Sequence, residues 1–406
     1  MRRSIRLVAA AGVLLSTPIA APPAFADAPD AFYRPSASTV KKGGPGTVIR
    51  SRPATGASVL PDAARVTTVI YRSTDVKGRR TAMSGTLLVP RGKTPKQGWP
   101  LVTWSHMTTG AADVCAVSSA RSSDSEIAHM TQGDDVVRRL LRSGVAVAKP
   151  DYEGLGTPGP HPYLIGDSLA TSTVDLASAA RRLDHRIGRR WVAAGQSEGG
   201  VAALFAAEAG RRLPSNLDLV GVAAFVPPTR MDTLIRLLEP VPLALGPQTT
   251  GQLVALAGLI IKGAATVDPV LARQLPDGGL STKAWSRWSH LEDRCFGELT
   301  ATSSWGGLAP AQVAGTKRST VLPRLYAVIR DNDVQSLRLR NVPVRLDIGL
   351  LDVVVPVVLS EHLIATYRSR GVDLTVGRWL AGHSPVTDDG FAAGPAAAWI
   401  VDRFSR

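Results

Sequence analysis

Cysteine is nearly absent: the 406-residue chain carries two, Cys115 and Cys295. Two thiols leave too few ligands for a cysteine-based metal centre, so no metal is expected. Aromatic residues make up 5% of the chain and are not interleaved with a basic stripe. With no recognition-helix motif either, a formal charge of +14 does not point to a nucleic-acid partner. Long apolar runs are missing beyond the first residues. The most hydrophobic stretch, 253–261, is closed by Lys262 and falls short of the roughly 20 residues that cross a bilayer. Internal repeats and low-complexity tracts are missing too. What remains is 44% hydrophobic and 20% charged, the composition of a globular protein with a large core.

The N-terminus departs from this pattern. Arg2, Arg3 and Arg6 precede an apolar run over 7–21 that Ser16 and Pro18 interrupt, and Ala24-Phe25-Ala26 places small residues at alternate positions. This predicts a signal peptide over 1–26 and an extracellular product with no transmembrane segment in its mature form. Arg2-Arg3 leaves the twin-arginine route open. The charge of +14 falls to +11 once those three arginines leave, which still favours peripheral contact with a lipid surface or cell-wall polymer. In an oxidising destination Cys115 and Cys295 are expected to pair. In the chain-entropy model so long a loop is worth about 5 kcal/mol.

Two β-branched-rich runs, 66–71 and 81–89, flank a polar segment at 73–80 and read as a hairpin. Short apolar runs at 101–104, 145–148, 191–194 and 219–225 then alternate with helical patterns at 134–142, 168–183 and 201–213. This rhythm predicts an α/β fold with a mostly parallel sheet covered by helices on both faces. It breaks after Pro227. To about residue 320 the chain reads as short helical pieces separated by Pro and Gly, a helical cap or lid insertion over 227–320. Strand patterns at 342–348 and 374–380 and a helix at 396–404 complete a core built from 27–226 and 321–406. The Pro-, Gly- and Ser-rich stretch 27–53 is expected to run irregularly over the surface.

Gly195-Gln196-Ser197-Glu198-Gly199 fits the G-x-S-x-G pattern, directly after one apolar run and directly before a helical one. The turn is so sharp that residues two before and two after the serine nearly touch, hence the glycines. The competing reading makes Ser197 a plain helix N-cap. A serine hydroxyl needs an imidazole to take its proton and a carboxylate to hold that imidazole in the right tautomer. Asp352 lies in the loop after a late strand, whereas Asp347 falls inside that strand and Asp373 at the start of the next. His383 lies in Ala381-Gly382-His383-Ser384-Pro385, after the last strand. His185, His290 and His362 read as surface residues. His129 and His161 precede Ser197 and break the order, and His106 suits a structural or oxyanion-loop role. The oxyanion donors expected are the N–H of Glu198 and, from the loop after an early strand, Thr108.

These residues resemble the secretory lipases of the Candida lipase A type, within the α/β-hydrolases. The resemblance rests on Asp30-Ala31-Phe32-Tyr33, the stretch 46–53, the loop 106–115, Asp151-Tyr152-Glu153-Gly154-Leu155-Gly156, the serine elbow, the loop 349–356 and Gly382-His383. It implies an α/β-hydrolase fold with a helical cap, Ser197, Asp352 and His383 as a triad, and Thr108 as an oxyanion residue. Met107 departs from the His-Gly-Thr usual in the family, and Ala116-Val117-Ser118 stands where a proline is common after the cysteine. The expected activity is cofactor-free hydrolysis of an ester or lipid substrate. A serine peptidase or acyltransferase would use the same triad, and a non-catalytic protein binding lipid or cell wall is the rival of a different class. Deletion or polarisation of the apolar stretch 243–265 would then alter chain-length preference, because that stretch is expected to line an acyl pocket or shield it as a lid.

Overall fold

Apolar strands alternating with amphipathic helices build one nine-stranded sheet. The computed structural model describes residues 30–208, 217–242, 250–339 and 341–405; the expected leader lies outside them. In chain order the strands are β1 (Val48–Pro53), β2 (Ala63–Thr74), β3 (Arg80–Pro90), β4 (Trp99–Ser105), β5 (Ala146–Pro150), β6 (Ile187–Gln196), β7 (Asp218–Phe225), β8 (Val344–Gly349) and β9 (Leu374–Trp379). Across the sheet they run β1-β2-β3-β5-β4-β6-β7-β8-β9. β1, β2, β3 and β5 pair antiparallel, and every pairing from β5–β4 onward is parallel. This is the α/β-hydrolase architecture.

Helices cover both faces, as the buried parallel strands require. One face packs Leu169 and Leu176 of helix Gly166–Leu183, Val201 and Leu204 of helix Glu198–Glu208, and Leu363 and Tyr367 of helix Val357–Ser369. The other packs Val136 and Leu140 of helix Asp134–Arg142 against Ala396 and Ile400 of helix Ala393–Arg403. Each fully buried Leu, Ile or Val contributes about 1.5–3 kcal/mol.

Between β7 and β8 lies a third apolar cluster, formed by helices Thr250–Val267, Pro269–Gln274 and Arg318–Asp331 around Leu259, Leu271, Trp305 and Leu325. The boundary expected at 320 falls inside the last of these helices, whose Val321 and Leu325 are buried in this cluster. Helix Thr250–Val267 is also longer than the stretch 253–261 suggested. Its 18 residues are long and apolar enough to cross a membrane by length and composition. It is nevertheless largely buried against the rest of the protein, and Lys262 within it pairs with Glu292 at 3.1 Å.

The segment expected to be irregular, 27–53, is ordered over 30–53. Ser36 caps the short helix Ala37–Val40, and β1 closes the sheet edge against β2. Its polar Arg50, Ser51 and Arg52 suit a half-exposed edge strand, which shows no buried-strand pattern. Cys115 and Cys295 are disulfide-bonded with Cα atoms 5.5 Å apart, joining the segment after β4 to the helical layer.

Candidate active site

β6 runs fully buried from Trp191 to Gln196, turns at Ser197 and enters helix Glu198–Glu208. Ser197 has φ 54°, a left-handed conformation that an L-residue adopts only under strain. The crowding read from the sequence is severe. A Cβ on Gly195 would stand 2.3 Å from the Gly199 carbonyl oxygen, and one on Gly199 would stand 1.9 Å from that of Ser105. The Ser197 N–H donates to the Phe225 carbonyl at 2.8 Å, anchoring the elbow to β7.

Asp352 follows β8 in a loop that folds onto the segment after β9, where the Leu351 N–H donates to the Ala381 carbonyl at 3.0 Å. The carboxylate is buried. Its Oδ1 accepts from the N–H groups of Val354 and Val355, each at 2.8 Å. Its Oδ2 lies 2.8 Å from His383 Nδ1, and His383 Nε2 lies 2.8 Å from Ser197 Oγ. Because the carboxylate is an acceptor, Nδ1 carries the hydrogen, and Nε2 of the neutral ring is left to accept from the serine hydroxyl. The competitors are occupied elsewhere: Asp347 is held by Arg345 and by Trp379 Nε1, and Asp373 is exposed.

The loop carrying His383 is clamped by two glutamines. Gln196 Nε2 donates to the carbonyls of His383 (3.0 Å) and Ser384 (2.9 Å), and its Oε1 accepts from Thr387 Oγ1 at 2.8 Å. Gln132 Nε2 donates to the Ser384 carbonyl at 2.8 Å. Sequence reasoning passed over both, since an amide side chain announces no chemistry. Only the place of Gln196 beside Ser197 could have drawn attention to it.

The N–H of Glu198 opens the helix and has no intrahelical acceptor, as for any first-turn residue. Thr108 is buried, its hydroxyl 2.7 Å from that of Tyr163. Helix Thr250–Val267 comes close enough here that a Cβ on Gly263 would stand 2.2 Å from the Tyr163 carbonyl oxygen. His106 is structural: Nδ1–H donates to the Met107 carbonyl at 2.6 Å, and the ring lies against Tyr152, whose hydroxyl donates to the His106 carbonyl at 2.6 Å. Burial drives its pKa down to about 3, so the ring stays neutral. Met107, bulkier than the expected glycine, is itself buried. Of the remaining histidines, His185 and His362 are exposed as expected, whereas His290 is half-buried on Ser304.

Residues 121–406 match the family model for secretory lipases. The chain belongs to the secretory lipase family. Among solved structures, this family member is similar to Candida antarctica lipase A in its closed state, with a TM-score of 0.75 and 16% identity over 93% of this chain and 86% of that one. It is also similar to the rice cell wall degrading esterase LipA from Xanthomonas oryzae, with a TM-score of 0.67 and 21% identity over 90% of this chain and 98% of that one. At such identities the likeness is one of fold. A probable inactive lipase of Mycobacterium tuberculosis (strain CDC 1551 / Oshkosh) is 32% identical over 204 residues, 47% of this chain and 44% of that protein. The match thus spans less than half the length of that curated relative.

Around its site this secretory lipase family member exposes Leu350, Leu351 and Val353 from the Asp352 loop and Leu380 from the His383 loop. The sequence reading also missed His161, whose ring meets the buried Glu198 side chain. The two are 37 residues apart in sequence, and no local pattern joins them.

Proposed function

We propose that the protein is a secreted carboxylic ester hydrolase, a lipase or esterase, in which Ser197, His383 and Asp352 form the catalytic triad. The supporting observation is the unbroken pair of 2.8 Å hydrogen bonds from Asp352 through His383 to Ser197. Ser197 Oγ attacks the ester carbonyl carbon while His383 Nε2 takes its proton. The N–H groups of Glu198 and Thr108 receive the developing oxyanion. His383 then protonates the departing alkoxide, an alcohol leaves, and the acyl group stays on Ser197. Water attacks the acyl-enzyme, again losing its proton to His383, and the carboxylic acid is released. Asp352 orients the ring and stabilises its charged form throughout.

The helical segment 227–320 serves as the cap in this reading. An apolar cavity lined by Leu253, Val254, Ala257, Ile261, Leu271 and Leu325 lies within this segment and its neighbouring helix, apolar enough for an acyl chain, although none of its lining residues belongs to the triad; the first part of the expected pocket stretch, 243–249, lies outside the described residues. The exposed leucines beside the triad suit contact with a lipid surface.

A non-catalytic reading is favoured by one fact, the name of the M. tuberculosis relative. One experiment separates the two. The protein is collected from the medium of expressing cells, where N-terminal sequencing is expected to begin at Asp27. It is then titrated with a fluorophosphonate and assayed on p-nitrophenyl esters of increasing chain length and on peptide anilides. Stoichiometric labelling and ester turnover are expected, both lost in Ser197→Ala, with kcat falling by about 10⁴-fold or more. An unlabelled, inert wild type supports the binding reading, and labelling that survives Ser197→Ala removes the nucleophile assignment.

A further inference from the structure

Glu198 presents two groups at one point: a backbone N–H facing the oxyanion site, and a carboxylate directed into the protein. The side chain is completely buried. Oε2 has no hydrogen-bond partner, and Oε1 lies 2.9 Å from His161 Nε2. The His161 ring is equally buried, and its Nδ1 lies 2.8 Å from the backbone carbonyl oxygen of Glu153. A carbonyl oxygen can only accept, so Nδ1 carries a hydrogen. The short contact between Nε2 and Oε1 therefore holds one proton, on nitrogen or on oxygen, and the pair is electrically neutral in both forms. Without that proton two acceptors would face each other at 2.9 Å. A bare carboxylate would then belong to the same residue whose N–H must donate to the negatively charged oxygen that develops in the reaction.

We infer that His161 is a positioning residue for the hydrolysis: by sharing one proton with Glu198 it keeps the ground behind the oxyanion hole neutral. The inference rests on the catalytic reading given above. The surroundings leave the task to this pair. The Tyr152 ring stacks on His161 at 6.0 Å between centroids, and its hydroxyl is engaged by the His106 carbonyl. Tyr163 meets His161 edge-on and binds Thr108. Burial holds both phenols well above their usual range, so neither brings a negative charge. His106 is neutral. The Glu153 carboxylate is turned to Ser168 and to the Val76 N–H, Asp151 to Ser84 and Ser118, and Lys149 to Asp134. None of these side chains hydrogen-bonds to Glu198; the uncharged Thr108 hydroxyl also interacts with its carboxyl, so the imidazole is its one charge-bearing counter-group among the described residues. Burial also raises the Glu198 carboxyl above the usual range, in keeping with a retained proton.

Alkaline conditions that remove the shared proton leave Glu198 charged and lower kcat. The test is a double-mutant cycle on the mature protein with p-nitrophenyl butyrate, using His161→Ala, Glu198→Gln and the double variant, each checked for folding by circular dichroism. His161→Ala is expected to lower kcat by about 100-fold, as for loss of an oxyanion donor, with KM within about twofold. In the Glu198→Gln background the same change costs under about fivefold, because no carboxylate remains to be neutralised. The alkaline fall of kcat seen in wild type is absent from Glu198→Gln. Equal losses in the two backgrounds overturn the inference. If His161→Ala does not fold, an alkaline limb unchanged in Glu198→Gln overturns it on its own. A wild type that turns over esters while the cycle shows no coupling removes only this inference; a wild type inert to esters and fluorophosphonate removes the catalytic reading and this inference with it.

Discussion

Asp175 shows what burial does to a single side chain. It accepts a 2.7 Å hydrogen bond from Ser73 Oγ between helix Gly166–Leu183 and β2. Desolvation nevertheless pushes its pKa up from the ordinary 3.8 to about 6. The folded state thus favours the protonated acid more than the unfolded chain does. Its relative stabilisation is fully present below about pH 4 and is lost as pH rises through about 6. Asp175→Asn should accordingly stabilise the protein by about 2–3 kcal/mol at neutral pH and hardly at all near pH 4. Urea denaturation at the two pH values checks this, and a gain of the same size at both would mean that ionisation is not the cause. That Ser197, Asp352 and His383 meet was legible in the sequence because each stands in a loop or turn directly after a strand. The carboxyl of Glu198 was not, since its meaning depends on His161, which enters from a different loop.

At the scale of elements, the site is a matter of loops held at the carboxyl ends of parallel strands. The His383 loop is fixed less by its own residues than by Gln196 at the end of β6. Gln196→Met, which keeps the volume but removes both donated bonds, should lower kcat by about tenfold to a hundredfold, since small misplacements of a catalytic group carry such costs. KM should be little changed, and fluorophosphonate labelling of Ser197 should slow in parallel. Unaltered labelling would show that Gln132 and the loop's own contacts suffice. The strands flanking the elbow were legible because burial on both faces leaves continuous apolar runs. β1 was not, since an edge strand with Ser51 and Pro53 exposed and Arg50 and Arg52 packed on the segment around Phe32 has no such run. Helix Thr250–Val267 outruns the apolar stretch 253–261 because Lys262, the charge that closes that stretch, stays inside the helix by pairing with Glu292, and Gly263 lets the helix approach Tyr163.

Over the whole molecule, the Cys115–Cys295 bond closes a loop across 180 positions and ties the segment following β4 to the helical layer. Beside it the Phe296 N–H donates to the Thr109 carbonyl at 2.8 Å, and Gly110 pairs with Cys295. The bridge thus lies two residues from Thr108 along a hydrogen-bonded path. Cys115→Ser with Cys295→Ser should lower the unfolding free energy by about 3–5 kcal/mol, read as a fall in the urea midpoint. Under the proposed mechanism it should also depress kcat at denaturant-free conditions, because the segment carrying Thr108 loses its tether. An unchanged kcat would confine the bond to a structural role.

That tether makes the chemical surroundings a condition of activity. A chain kept among the reducing thiols of a cytoplasm would hold Ser197, His383 and Asp352 yet lack the staple that steadies the neighbouring backbone. If the proposed hydrolysis holds, full competence would arrive only in an oxidising space, away from the esters of the cell that makes it.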